Sequence, residues 1–155
     1  MDCSQLYIST VSAGCDETAA RYGLGLEIAE YCTAANLDAP IPEVVTAAQC
    51  HRQGAAKRFV FHAPFNELCP AAIDPLAVSL ARHRYTQALA AAQDWGCRLL
   101  VVHTGFIPWV YYPEWFVEKS VEFWREFLPQ VPEGMVLCLE NVMEPSPQIP
   151  VDIIR

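Results

Sequence analysis

The chain alternates between short runs rich in β-branched and aromatic residues and longer segments of helical periodicity. The runs at residues 6–10, 26–31, 58–63, 98–103 and 135–140 read as strands. Between them lie helix patterns with recognisable start and stop signals. Asp16 or Thr18 is placed to cap a short helix through Arg21 and Tyr22, and Pro40 and Pro42 open a second that runs to about Arg52. Asp74 suits the N-cap and Pro75 the first position of a long helix that ends near Trp95, with Gly96 as its stop. Ala77, Leu80, Ala81, Tyr85, Ala88, Leu89 and Ala92 give that helix one apolar face. Pro113 begins a further helix whose buried side is expected to be Phe116, Val117, Val121, Trp124 and Leu128, and another helix starts around residues 151–154. Strands that alternate with helices form a parallel sheet with the helices outside it. The expected fold is therefore α/β, with about five parallel strands in a single domain over residues 1–155.

The composition supports such a core and narrows the partners. Hydrophobic residues make up 53% of the chain and charged residues 18%, which excludes a disordered segment. A net charge of −8 repels a polyanion, so nucleic acid is not the expected partner. The seven cysteines are scattered, several within apolar runs, and none forms a C-x-x-C pair. That pattern fits a reducing, cytoplasmic setting rather than a disulfide framework. Residues 1–5 lack the basic region of a signal peptide. The most apolar stretch, residues 99–117, is interrupted by His103, Gly105, Pro108, Pro113 and Glu114, so no membrane span is expected.

In the last three strands an apolar run ends in an ionisable side chain: Val60-Phe61-His62, Val101-Val102-His103 and Cys138-Leu139-Glu140. Ligands of parallel α/β folds sit beyond the carboxyl ends of the strands, where such groups are aimed at a site rather than buried at a penalty. Two imidazoles and a carboxylate on neighbouring strands suit Zn²⁺, Mn²⁺ or Co²⁺. A single strand-end histidine is as often a hydrogen-bonded core residue; three such groups in register favour a site. His51 near a helix C-terminus reads as a cation matched to the helix dipole, and His83 as a solvated residue. Glu27 and Glu30 have opposite parity, so at most one faces the site, and Glu27 is the better candidate. Asn141 and Glu144 follow Glu140 and either bind substrate hydroxyls or merely form a loop. The aromatic loop after His103, with Trp109, either lines a pocket or packs on the rim.

Taken in order, Phe61-His62-Ala63-Pro64-Phe65, Val101-Val102-His103-Thr104-Gly105 and Leu139-Glu140-Asn141-Val142 resemble the xylose isomerase-like TIM-barrel superfamily, and Gly25-Leu26-Glu27-Ile28-Ala29 looks like its second strand. That group holds sugar phosphate isomerases and epimerases as well as the endonuclease IV type of AP endonuclease. The resemblance implies a divalent metal (Mn, Zn, Co or Mg) held by His62, His103 and Glu140, with Glu140 also acting as acid or base. It implies isomerisation or epimerisation of a sugar or sugar phosphate, with Glu27, Asn141, Glu144 and Trp109 around the substrate. Cleavage at abasic DNA sites, and a non-catalytic binding module, are the alternative readings. The family barrel has eight strands and roughly 250 residues, so this chain is expected to be its N-terminal portion, truncated before the remaining Asp, His and Glu ligands. An open barrel edge is then expected, which a homo-oligomer would cover.

Overall fold

The computed structural model describes residues 3–155, so the first two residues of the segment inspected for a signal peptide lie outside it. The strands are β1 (Tyr7–Ser9), β2 (Gly25–Ile28), β3 (Phe59–His62), β4 (Leu99–His103) and β5 (Val136–Glu140). The helices are α1 (Cys15–Tyr22), α2 (Ala34–Asp38), α3 (Pro42–Gln53), α4 (Pro75–Asp94), α5 (Pro113–Phe127) and α6 (Gln148–Ile154), with a 3₁₀ turn at Leu128–Gln130. All strand pairs are parallel and the sheet order is β1-β2-β3-β4-β5. This is the expected α/β arrangement of five strands with outer helices.

The register sorts the side chains onto two faces. Leu26 and Ile28 on β2, Phe61 on β3, and Leu100 and Val102 on β4 point to the helical side and are fully buried there. The opposite parity carries Ser9, Glu27, Val60, His62, Val101, His103, Cys138 and Glu140, linked by the pairs Ser9↔Glu27, Glu27↔Val60, His62↔Val101 and His103↔Glu140. This second face is less enclosed: Leu99, Val101 and His103 are half-buried, whereas Leu100 and Val102 are buried.

Local sequence explains most element ends, including those that differ from expectation. β2 stops at Ile28 instead of reaching Tyr31, because the Ala29 N–H donates to the Thr10 hydroxyl at 3.0 Å and leaves the backbone ladder. Helix α1 is capped by Gly14 in the left-handed conformation, not by Asp16, whose carboxylate is turned toward His51. The short helix α2 has no counterpart among the expected elements; Thr33 caps it by accepting the Asn36 N–H at 3.3 Å. Asp74 caps α4 as anticipated, accepting from the Leu76 N–H at 2.8 Å.

The buried faces of two helices are rotated slightly from the expected ones. On α4, Leu80 is exposed while Ala81, Tyr85, Ala88, Leu89 and Ala92 are buried. On α5 the buried set is Phe116, Ser120, Phe123, Trp124 and Phe127, and Leu128 is exposed. The reason is aromatic packing. Tyr85 stacks on Trp124 at 5.4 Å and meets Phe123 and Phe127 edge-on at 6.1 Å each, turning α5 to present those rings to α4. The buried Tyr85 hydroxyl donates to the His103 carbonyl at 3.3 Å, tying this cluster to the end of β4. Burial raises the Tyr85 phenol far above its ordinary range, so it remains a donor.

Among the described residues Cys15, Cys32, Cys50, Cys69, Cys97 and Cys138 are free thiols, and no helix is long and apolar enough to cross a membrane. Phe127→Ala is expected to cost about 3–5 kcal/mol of stability in urea unfolding, the range for emptying an enclosed aromatic site. Leu76→Ala, on the exposed first turn of the same helix pair, is expected to change stability by less than about 0.5 kcal/mol.

Candidate metal centre

Each of the last three strands delivers one side chain to a common point. His62 Nε2 lies 3.3 Å and His103 Nε2 lies 3.2 Å from the same oxygen, Oε2 of Glu140. The ligand atoms all fall within 4.8 Å of one another. This closeness follows from the register: His103 pairs directly with Glu140, and His62 pairs with Val101, two residues back along β4 on the same face.

Hydrogen bonding fixes the state of His62. Its Nδ1 lies 2.7 Å from the Ala63 carbonyl, which can only accept, so Nδ1 carries the proton. In the neutral ring Nε2 then presents a lone pair to a carboxylate oxygen, an acceptor facing an acceptor. A cation between them removes that conflict, and an N–H donating to a backbone carbonyl on the far side of the ring is a common support for a metal-bound imidazole. The donor set of two imidazole nitrogens and a carboxylate therefore fits a divalent metal.

His103 is also held in the ligand form. Burial pushes its pKa down, His62 adds to the effect, and Glu140 and Glu144 oppose it. Phe65 stacks on the His103 ring at 4.4 Å and meets His62 edge-on at 5.5 Å, walling the histidine pair on one side. Glu140 is the most exposed of the three, so the site opens to solvent through its carboxylate.

The loop after β4 is held close to the loop after β3. Gly105 has φ +78°, and a Cβ there would lie 2.5 Å from the Leu68 carbonyl oxygen and 2.9 Å from the Cys69 Cα, so only glycine fits. Thr104 accepts the Phe106 N–H at 3.1 Å and donates its hydroxyl to Glu144.

The remaining sequence candidates are dispersed. Glu27 shares the face of His62 and His103 but pairs with Val60, two residues before His62 on β3. Glu30 lies beyond the end of β2 and faces His51 and Thr10 instead. Glu144 has both oxygens engaged, one by Thr104 and the other by the N–H groups of Val142 at 2.7 Å and Met143 at 3.1 Å. Asn141 is exposed in the same loop. Trp109 is fully exposed and has φ +63°, a conformation rare for its type. Residues that shape the centre without an obvious sequence signal are Ala63, through its carbonyl, and Tyr85, through its bond to the His103 carbonyl.

Five parallel βα units in sequential order are an arrangement this chain shares with several solved structures. Solved structures that share it include a D-tagatose 3-epimerase-like protein, at TM-score 0.71 and 20% identity, covering 98% of this chain and 60% of that one. A second is the TTHB071 protein of Thermus thermophilus soaked with zinc chloride, at TM-score 0.70 and 25% identity, covering 96% and 59%. A third is D-psicose 3-epimerase of Clostridium cellulolyticum with D-tagatose, at TM-score 0.63 and 21% identity, covering 96% and 57%. The chain thus spans about three fifths of the length of these structures. No protein-family model matches the sequence, and no curated protein sequence does.

Glu144 is expected to act as the clasp between the loops after β4 and β5. Glu144→Ala should speed amide hydrogen exchange at Val142 and Met143 and cost about 1.5–3 kcal/mol, the range for hydrogen bonds to a charged acceptor. Unchanged exchange at both amides would count against that role.

Proposed function

We propose that this chain supplies a metal-holding part of the active site of an enzyme that isomerises or epimerises a sugar or sugar phosphate. The observation that carries the reading is the convergence of His62 and His103 on one oxygen of Glu140. The epimerase structures that share the fold support it by analogy.

His62, His103 and Glu140 would hold the cation, and two imidazoles favour Mn²⁺, Co²⁺ or Zn²⁺ over Mg²⁺. The metal, when bound, supplies Lewis acidity that makes a proton beside a sugar carbonyl easier to remove. Glu140 is the residue placed to take and return that proton, because its carboxylate is the part of the centre open to solvent. His103, held neutral, contributes a lone pair instead of competing for the proton. Phe65 excludes water from one side of the imidazoles. Glu27, on the same sheet face, and Asn141 and the exposed Trp109 ring, on the loops beyond the strands, are the candidates to meet sugar hydroxyls and a sugar face. Glu144 is assigned to loop closure, since its oxygens are already used. A cytoplasmic location fits the free thiols of Cys15, Cys32, Cys50, Cys69, Cys97 and Cys138.

Mn²⁺ titration by calorimetry tests the centre, since manganese prefers nitrogen and oxygen ligands to sulfur. Binding is expected in the unaltered chain and is expected to weaken at least 10-fold in both His62→Ala and Glu140→Ala. Equal affinity in all three proteins would sink the assignment. The chemistry is read by incubating D-tagatose with the Mn²⁺-loaded chain in D₂O and following deuterium incorporation beside the carbonyl by NMR. Slow exchange that disappears in Glu140→Gln is expected.

A further inference from the structure

A second group of ligand-type side chains lies outside this centre. Cys15 and Asp16 open helix α1, His51 lies in the last turn of α3, and Glu30 follows β2. His51 Nδ1 is 2.7 Å from Asp16 Oδ2 and 4.0 Å from Cys15 Sγ, and Sγ is 3.9 Å from the same carboxylate oxygen. Here a thiol, a carboxylate and an imidazole from two helices face one small volume.

We infer that Cys15, Asp16 and His51 form a second metal site, for a thiolate-accepting ion such as Zn²⁺ or Co²⁺, with Glu30 orienting the histidine. Several independent features point that way. His51 Nε2 lies 3.1 Å from Glu30 Oε1, a carboxylate to which it can donate, and in that tautomer Nδ1 offers a lone pair toward Cys15 and Asp16. A carboxylate behind a histidine is the usual support that sets a metal-binding tautomer. Glu30 is itself fixed: its Oε2 accepts the Thr10 hydroxyl at 2.9 Å, and its carbonyl accepts the Asn36 side-chain N–H at 2.9 Å. Asp16 Oδ1 is buried and has no hydrogen-bond partner among the described residues, an unmet acceptor of the kind an ion satisfies. Gly54 closes over that oxygen, where a Cβ would lie 3.1 Å away.

The dimensions are compatible. Bonds of about 2.3 Å to sulfur and about 2.0–2.1 Å to nitrogen and oxygen place tetrahedral ligand atoms about 3.4–3.6 Å apart. Separations of 2.7, 3.9 and 4.0 Å reach those values with side-chain moves of less than about 1 Å. Asp16 is about one third exposed, at 36%, which gives an ion a way in, while His51 is 12% exposed. Three protein ligands leave a fourth position for water.

Cobalt distinguishes this site from the His62–His103–Glu140 centre, which contains no sulfur. Adding Co²⁺ to the reduced full chain is expected to give a thiolate-to-cobalt charge-transfer band that saturates within about two ions per chain, because the sulfur-free centre takes cobalt as well. The band should vanish in Cys15→Ser and persist in Cys138→Ser and His62→Ala. Glu30→Gln should weaken Co²⁺ binding about 10–100-fold, the range for losing a carboxylate behind a ligating histidine. Because Cys15 is buried, circular dichroism checks that Cys15→Ser is folded, and His51→Gln, expected to lose the band as well, provides the second variant. No band in the unaltered chain, or a band that survives both Cys15→Ser and His51→Gln, would overturn the inference.

Discussion

Parallel register is the constraint on which the structure depends. Each strand lies beside the next in sequence, and the pairings Phe61↔Leu100 and Leu100↔Leu137 hold the buried Phe61 and Leu100 level with the half-buried Leu137 across three strands. Because side chains alternate strictly along a strand, fixing the apolar face also fixes the other one. A one-residue slip of β5 would send Glu140 toward the helices and bring Leu139 to face His103. The apolar packing of Tyr85, Phe116, Phe123 and Phe127 therefore holds the cluster of His62, His103 and Glu140 in place, though none of those side chains enters it.

The two ligand clusters are built differently. His62, His103 and Glu140 depend on the sheet, whose strands are fixed by backbone hydrogen bonds along their length. Cys15, Asp16, His51 and Glu30 come from two helices and a strand-to-helix loop, joined by side-chain contacts. Glu30 illustrates the division. Its parity excluded it from the face of His62, and the structure gives it to the second cluster, where Thr10 both anchors its carboxylate and ends strand β2 through the Ala29 N–H.

The fold and the first cluster were legible because both are written in short-range pattern. An apolar run ending in His or Glu marks a strand and the position of its last residue at once, so His62, His103 and Glu140 could be aligned without knowledge of the packing. The second cluster has no such pattern: Asp16 and His51 are 35 residues apart, and each has an ordinary local reading, one as a helix cap and the other as a dipole-matched cation. The rotated face of α5 was missed for a related reason. Helical spacing allowed either Val121 and Leu128 or Phe123 and Phe127 inward, and the choice was made by rings on α4. The sequence left Glu144 open between substrate ligand and loop residue because its backbone amide and hydroxyl partners carry no sequence signature.

The sequential strand order has a consequence for how the molecule comes together. Every strand finds its neighbour in the segment just before it, so no pairing waits for a distant part of the chain. Contacts of short sequence separation form at low loop-closure cost. During synthesis the sheet can grow one βα unit at a time, with the newest strand always at the open edge. Of the three strand-end side chains Glu140 arrives last, docking beside two histidines that are already in position.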